Sequence, residues 1–435
     1  AMWNYDLEQA GRLLEPFRSS SVYHAAAYAE AAILRVALTG RKEEAQHALE
    51  LVRCAEELCD RRSQPAASNM AIEVLAAELL LMRSGLQVVL GARLRALFNL
   101  RNCWGLYRRL ENAVANGTLA GICTVCVDTG TVKLDEPGVY DAAYSYHDLR
   151  GRINFGLGFF YLATSLLPAS LGPLLRLAGF VMDRQIGKAY LAENVEGDLA
   201  PRSTLSAIML SMYHLDLEPD MPRAGKLLVA SLARTPENVL LHWSGSLLAW
   251  RNTCIAQAVE LTEKALWCCG EEIGSQAVFL RYELGMLHFI CMDWRSAHAH
   301  LRFVYETVKT EKVFFPYQTL ISVQLAAACF HLGGSREEEG EQLCRECVYQ
   351  QDWSGGMLKL ENDFSRIAQI FLRHRAAGRQ LFAFETLYLL RQFPKIAPAV
   401  LLEVQAALQK AAEPHVRRLA QLREGCAVGS SASEK

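Results

Sequence analysis

The sequence predicts an all-α protein, built as a superhelical solenoid of helical hairpins. The chain is rich in alanine and leucine and has few of the alternating Val, Ile and Thr runs that are typical of strands. Most of its 13 prolines stand at segment edges, where helices begin or end. Small residues also recur at fixed spacings between neighbouring apolar segments, as is expected where two helices cross closely.

Length and charge limit the classes of function. With 435 residues, 51% of them hydrophobic, the chain is longer than a domain built around a single compact core. A solenoid avoids this size limit, because it grows in one dimension by adding repeats. The formal net charge of −2 provides no field that would attract nucleic acid or an anionic membrane. A short basic stripe near Lys410 and Arg417 is interpreted as a solvated helix face. We therefore expect protein partners and no nucleic acid.

The clearest repeat signal is Gly285, which is followed by Ala297 twelve residues later. Leu301 and Val304 then follow at helical spacing. This is the pattern of a tetratricopeptide repeat, in which two small residues let the helices cross while larger residues fill the groove behind them. The alternative is a helical hairpin that contains a glycine by chance.

Two neighbouring segments repeat the pattern imperfectly. Gly245 precedes Ala258 by thirteen residues, and Ala328 precedes Gly340 by twelve. Gly245 and Gly285 are forty residues apart, which exceeds the usual repeat length of about 34. The sequence therefore predicts degenerate tetratricopeptide repeats with long connections.

The predicted organisation has six parts. They are an N-terminal helical block (1–116), an exposed loop (117–141), a central apolar hairpin (142–217), the repeats (218–350), C-terminal helices (351–424) and a disordered tail (425–435). Within the first block, Gly40 should end one helix, and Ser84-Gly85 should separate two others. The helix predicted over 86–112 should direct Leu94, Leu97, Leu100, Trp104, Tyr107 and Leu110 inward.

Residues 153–175 form an uncharged run that is long enough to span a membrane. Pro168 and Pro173 divide it into two pieces that are each too short to span alone. The pattern favours a buried hairpin over a membrane segment, so any membrane association is expected to be peripheral.

The central hairpin also carries a long motif. It reads Phe155-Gly156-Leu-Gly158-Phe-Phe160, then Ser165-Leu-Leu-Pro168, then Gly179-Phe180-Val-Met-Asp183-Arg184. In this motif the chain resembles the tetratricopeptide repeat protein 39 family, which includes the fungal inclusion-body-clearance proteins, and it is most similar to the C-type branch. The resemblance covers roughly residues 20–395.

The resemblance implies an all-helical adaptor without catalysis or cofactors. Members of that family have been linked to the handling of protein aggregates and lipid, and the C-type branch to cilium assembly. The location expected from the resemblance is the cytoplasm, with the mitochondrial outer membrane, lipid droplets and the cilium as peripheral sites. The 13 cysteines are an odd number, and they fit reduced thiols in a cytosolic or nuclear compartment.

Motifs for catalysis or metal binding are not found. The chain has no phosphate-binding loop, zinc-protease motif or nucleophile elbow, and Gly156-Leu-Gly158 lacks the third glycine of a dinucleotide loop. The C-x-x-C pairs at 123/126 and 344/347 lie far apart in sequence. His298 and His300 should point to different faces of one helix. We therefore expect no catalytic residue, metal or cofactor.

Two hypotheses for function remain. In the first, the protein is a scaffold that holds a partner peptide or helix on the concave face of its repeats. The candidate groove residues lie at first-helix positions, although the same residues could pack against an adjacent helix: His242, Ser246, Trp250, Phe279, Tyr282, Met286, Phe289 and Ile290. In the second, the protein binds a lipid or another apolar ligand beside the central hairpin.

Overall fold

The computed structural model describes residues 7–62, 70–117, 146–165, 179–197, 202–274, 276–311, 313–315, 317–349, 359–373, 375–406, 408–410 and 413. The chain divides into two compact units. Unit 1 consists of Ala1–Asn252, Glu260–Leu280 and Glu311–Phe314, and unit 2 of Thr253–Val259, Arg281–Thr310 and Phe315–Lys435. Residues 118–141 of the predicted loop, the segment 166–178 and the tail 425–435 lie outside the described residues.

Nearly all regular structure in the described ranges is helical, with one isolated β-bridge between Arg41 and Val313. The first ten helices belong to unit 1: α1 (Leu7–Leu14), α2 (Val22–Thr39), α3 (Lys42–Arg62), α4 (Met70–Val89), α5 (Arg93–Ala115), α6 (Tyr146–Ser165), α7 (Arg184–Glu196), α8 (Ser203–Asp216), α9 (Met221–Arg234) and α10 (Val239–Arg251).

The remaining helices are α11 (Ile255–Cys268), α12 (Gly270–Gly274), α13 (Val278–Ile290), α14 (Trp294–Thr310), α15 (Gln318–Leu332), α16 (Arg336–Tyr349), α17 (Lys359–Arg373) and α18 (Arg375–Leu389). Helix α12 belongs to unit 1, α11 and α13 contribute residues to both units, and α14 to α18 belong to unit 2. Helices that follow one another along the chain pack together, for example α2 on α3, α4 on α5 and α15 on α16. The prediction of an all-α fold of helical repeats is confirmed.

Glycines with a positive φ end two helices of the N-terminal block. Gly40 has φ 66° and donates its N–H to the carbonyl of Val36 at 2.8 Å, so it ends α2 as predicted. The break expected at Gly85 is wrong, because α4 continues to Val89. Gly91, with φ 81°, follows instead, and its N–H and that of Ala92 satisfy the carbonyls of Val88 and Gln87. Gly85 lacks the left-handed conformation that ends a helix, so it stays within α4.

The inward face predicted for α5 is correct only in its second half. Trp104, Tyr107 and Leu110 are buried, whereas Leu94 is 86% and Leu97 is 44% exposed. The first buried residue of α5 is Ala96. Further along the helix, Tyr107 lies in a buried cluster that includes Leu149 and Ile153 of α6. The first turn of α5 therefore projects beyond the core, and helical periodicity does not indicate where a neighbouring helix stops.

The apolar run at 153–175 enters helix α6, which ends at Ser165. Across the described ranges, no helix combines the length and the apolar character needed to cross a membrane. The second part of the run, including Pro168 and Pro173, falls outside the described residues.

Candidate partner-binding surfaces

Gly156 of the central motif accommodates a buried tyrosine. A Cβ atom at this position would overlap the ring of Tyr107, which is fully buried. Helix α6 can therefore lie against α5 only with glycine at position 156. Tyr107 packs with Phe160 of the same motif, at a ring-centroid distance of 5.7 Å.

Gly158 and Gly187 form the crossing of α6 with α7. A Cβ at Gly158 would lie 2.6 Å from Cγ of Leu191 and 3.1 Å from the carbonyl oxygen of Gly187. A Cβ at Gly187 would lie 3.0 Å from the carbonyl oxygen of Gly158. The two glycines face each other, and their backbones approach at the distance that their missing side chains allow.

The aromatic residues of the motif surround Trp104. Its ring lies 5.6 Å from Phe160 and 6.0 Å from Phe180, measured between centroids. Its indole Nε1–H donates to the carbonyl oxygen of Gly179 at 2.8 Å. This bond holds the segment before α7 against α5, and it satisfies the one polar group of the tryptophan.

The polar motif residues cap and tie helix ends. Asp183 accepts hydrogen bonds from the N–H groups of Gln185 and Ile186 at 2.9 and 3.1 Å, and is the N-cap of α7. Ser165 donates to the carbonyl oxygen of Leu162, and Arg184 donates to that of Ser165. Phe155 packs against a buried cluster that includes Leu191 and Tyr213. Pro168 lies outside the described residues. The described motif residues thus pack and cap helices.

The repeat glycines lie under large side chains. A Cβ at Gly285 would lie 2.9 Å from Cγ of Leu301, and one at Gly340 would lie 2.6 Å from Cε1 of Phe330. Gly245 has more room, because the nearest atom, in Leu261, would be 3.4 Å away. The partner positions Ala258, Ala297 and Ala328 are fully buried. Close helix contacts thus occur at the positions with repeat spacing.

Four of the candidate groove residues lie in unit 1. His242 and Ser246 are buried and have polar partners inside the unit. Nε2 of His242 lies 2.7 Å from the carbonyl oxygen of Pro236, and Oγ of Ser246 lies 2.6 Å from the hydroxyl Oγ1 of Thr262. Trp250 and Phe279 are half-buried. Phe279 lies beside the Gly40 turn, whose carbonyl accepts a hydrogen bond from the N–H of Phe314.

The other four groove candidates lie in unit 2. Met286, Phe289 and Ile290 are buried among its helices; Sδ of Met286 lies 2.9 Å from Nε2 of Gln324, and Phe289 packs edge-on against Trp294. Tyr282 is half-buried. Of these four residues, Tyr282 is the one whose ring a partner can reach without displacing the core.

Tyr282 belongs to an aromatic group that we call the tyrosine ledge, which consists of Tyr282, Phe315 and Tyr317. The ring of Tyr282 meets that of Phe315 edge-on at 5.1 Å and stacks on that of Tyr317 at 6.4 Å. Phe315 is buried, whereas Tyr317 is 38% exposed. The ledge is therefore a supported aromatic surface with two accessible rings.

A small cleft lies between α14 and the start of α15. It has a volume of about 70 Å³, and Gln318, the residue after Tyr317, lines it together with Tyr305 and Lys309. The Lys309 Nζ lies 2.9 Å from the Tyr305 hydroxyl and 3.2 Å from a carboxylate oxygen of Glu346. Burial and the neighbouring Glu346 carboxylate raise the pKa of Tyr305, so the hydroxyl remains a neutral donor. The cleft thus offers polar groups at the start of α15, the helix that Tyr317 precedes.

Unit 1 contains a larger cleft of about 440 Å³ between α1, α2, α3 and α12. Four glutamates line it, Glu8, Glu43, Glu44 and Glu272, against the single arginine Arg35. Arg35 is held by Glu44 at 2.9 Å and Glu272 at 2.7 Å. The acidic balance of this cleft favours cationic groups.

Unit 1 contains a buried charge network that the repeat and motif patterns do not predict. Arg202, which is 2% exposed, bonds to both Glu30 and Glu78, and Arg152 also donates to Glu78. Burial by itself lowers the pKa of Arg202, but the carboxylates of Glu30 and Glu78 outweigh burial and raise this pKa above its ordinary value. A signal for the network existed in the sequence, because Glu30 and Glu78 interrupt otherwise apolar stretches of α2 and α4.

Paired helices that cross at glycine and alanine define this chain as a helical-repeat protein of the tetratricopeptide type. The family model of Iml2/Tetratricopeptide repeat protein 39 matches residues 1–410. The chain belongs to the Iml2/Tetratricopeptide repeat protein 39 family. The match is to the family as a whole, and repeats of this kind are typical of protein-interaction scaffolds.

Proposed function

We propose that this protein is a non-catalytic scaffold that binds a segment of a partner protein through first-helix positions of its repeats. The tyrosine ledge is the contact that we assign in unit 2. The observation that carries the proposal is the stacked pair Tyr282 and Tyr317, which is accessible to a partner and lies on the buried ring of Phe315. Aromatic side chains in such positions dominate the binding energy of many protein interfaces.

Rigidity of the ledge supports the same role. Each ring of the ledge contacts the other two, since Phe315 and Tyr317 also meet edge-on at 6.1 Å. Rings that are already held in place lose little conformational entropy when a partner binds. The cleft that Gln318 lines, next to Tyr317 in the chain, supplies hydroxyl, amide and ammonium groups of the kind found at the polar rim of an interface.

The buried groove candidates have a supporting role in this proposal. Met286, Phe289 and Ile290 shape the helix that carries Tyr282. Truncation of these residues would unfold the helix pair and would not measure binding. The cytoplasmic location is also part of the proposal, and the odd number of cysteines supports it. The alternative of an apolar ligand beside the central hairpin depends on residues 166–178, which are not described.

The test is quantitative affinity capture with tagged full-length protein, followed by calorimetry with the purified partner. Tyr282→Ala and Tyr317→Ala should each reduce partner affinity by more than tenfold, because an anchor ring contributes on the order of 2 kcal/mol. Tyr388→Ala is the matched control, since Tyr388 is 70% exposed on α18 in the same unit and lies outside the ledge.

Melting curves must show that all three variants remain folded. A partner that is lost with both ledge variants and kept with the Tyr388 variant supports the proposal. Equal recovery of every bound protein with all three folded variants would contradict it, and the acidic cleft of unit 1 would become the next surface to test.

A further inference from the structure

Three consecutive helices of unit 2 bring together side chains that are typical metal ligands. His298 lies on α14, Cys329 on α15 and Glu339 on α16. Each provides one ligand atom, and these atoms all lie within 4.8 Å of one another. The distance from Nε2 of His298 to Oε2 of Glu339 is 3.9 Å. These residues are separated by 31 and 10 positions along the chain, so only helix packing places them in one cluster.

The imidazole of His298 points into this cluster without a hydrogen-bond partner for Nε2. The side chain is 91% buried, and the Nε2 atom is fully shielded from solvent. A buried nitrogen without a partner costs free energy, and a histidine in that state requires an explanation. A metal ion bound by Nε2 provides one.

The distances allow a tetrahedral ion. Bonds of about 2.0–2.3 Å from zinc to nitrogen, oxygen and sulfur place the ligand atoms roughly 3.3–3.8 Å apart. The three atoms therefore need to approach by about 1 Å, which side-chain rotation can supply. Glu339 is half-buried, so solvent reaches the cluster from the side of this carboxylate.

Charge and ligand type select the kind of ion. A thiolate and a carboxylate together neutralise a divalent cation, and an N, S and O ligand set suits zinc more than magnesium or calcium. Arg302 orients Glu339 from a distance of 3.1 Å, as residues around metal sites commonly do. The positive charges of Arg302 and Arg336 oppose a cation, and Glu306, 2.8 Å from Arg302, offsets the first of them.

We propose that His298, Cys329 and Glu339 form a binding site for a divalent transition-metal ion of the zinc type. The bound ion would join α14, α15 and α16 and so stabilise two successive repeat contacts. Neither the fold class nor partner binding at the tyrosine ledge requires this site. Because the thiol must lose its proton, binding releases a proton and tightens as the pH rises.

The experiment uses metal-stripped full-length protein and titration with Co²⁺ alone, followed by competition with Zn²⁺. One Co²⁺ per chain should produce thiolate-to-cobalt charge transfer and the visible bands of a tetrahedral site, and Zn²⁺ should abolish both. Cys329→Ser should remove the charge-transfer band. His298→Gln and Glu339→Gln should each weaken binding by more than tenfold.

The matched controls are Cys344→Ser and His300→Gln. Cys344 is a buried thiol in the same unit, and His300 is partnered by stacking on His288 at 5.7 Å. Both control variants should bind Co²⁺ like the wild type. If Cys329→Ser fails to fold, the affinity of Glu339→Gln for Co²⁺ decides, since Glu339 is half-buried and its replacement by glutamine keeps the size of the side chain. A charge-transfer band that persists in the Cys329 variant, or affinity that is unchanged in the Glu339 variant, would overturn the proposal.

Discussion

Arg202 and Glu78 form a buried ion pair between helices that are far apart in the sequence, with 2.9 Å between Nε and Oε1. Glu30 and Arg152 complete the network, which therefore contains two positive and two negative groups. The network joins α2, α4 and α6 to the residue that precedes α8. A neutral set of this kind tolerates burial only while all of its members are present.

Replacing one member of the network should therefore lower the free energy of unfolding of unit 1. We expect Arg202→Met to lower the free energy of unfolding by roughly 3–5 kcal/mol, because Glu30 would lose its arginine and Glu78 would keep only Arg152. Arg251→Met is the control, since Arg251 pairs with Asp216 at the surface and should cost no more than about 0.5 kcal/mol. Urea unfolding measures both variants, and equal costs would contradict the assigned role of the network.

The same network should respond to acid. Burial raises the pKa of Glu78, but Arg152 and Arg202 outweigh burial and hold the pKa below the ordinary value of 4.5. A carboxyl with a depressed folded-state pKa stabilises the fold above its unfolded-state pKa and loses that contribution as the pH falls through the folded-state value. We expect the difference in unfolding free energy between wild type and Glu78→Gln to shrink below about pH 4.5. A difference that stays constant from neutral pH to about pH 3.5 would contradict this explanation.

The contact between the Tyr107 ring and Gly156 leaves no room for an added methyl group at position 156. We expect Gly156→Ala to destabilise the protein by roughly 1–3 kcal/mol, because its Cβ would overlap the buried ring. Gly105→Ala is the control: Gly105 is an exposed residue inside α5 with no atom within 4 Å of the added Cβ, and the change should stabilise the helix by up to about 1 kcal/mol. Thermal melting compares the two variants.

A double variant distinguishes the contact from a general effect. Tyr107→Leu removes the ring, so Gly156→Ala should cost less in the Tyr107→Leu background than in the wild type. Costs that simply add would show that the two residues do not interact.

The crossing of α13 and α14 should behave in the same way in unit 2. An added Cβ at Gly285 would lie 2.9 Å from Cγ of Leu301 and 3.3 Å from its backbone nitrogen. We expect Gly285→Ala and Ala297→Leu each to destabilise by roughly 1–3 kcal/mol. Gly85→Ala, at an exposed position in the interior of α4 with open space around it, is the control and should not destabilise. Wild-type melting of the Gly285 and Ala297 variants would mean that the repeat register is wrong.

Much of the fold was predictable from local patterns. Gly40 ends α2, and Ala45, Ala48 and Val52 form the buried face of α3, because capping and helical periodicity depend on residues a few positions apart. The errors occurred where the outcome depends on a distant neighbour. Leu94 fits the periodic pattern of α5, but none of the described helices covers it, and Gly85 is a glycine whose backbone stays helical.

The candidate surface was only partly predictable. The first-helix pattern selected Tyr282, but it could not distinguish this half-buried ring from the buried Phe289, seven positions later on the same helix. Tyr317 was not selected, because it precedes α15 and has no place in the repeat pattern. Exposure depends on which neighbour covers a helix face, and a spacing pattern does not contain that information.

The sequence by itself determined the helical class, the repeat character and the family motif of this protein. These follow from periodicity, capping and the need for glycine at close crossings, all of which act over short stretches of chain. Only the tertiary structure decided which charged side chains, and which candidate metal-ligand side chains, lie close together. Arg202 lies 172 positions from Glu30 and 124 from Glu78, and His298, Cys329 and Glu339 stand on three different helices. Such contacts depend on how whole helices stack, because no local pattern sets the distance between residues so far apart in the chain.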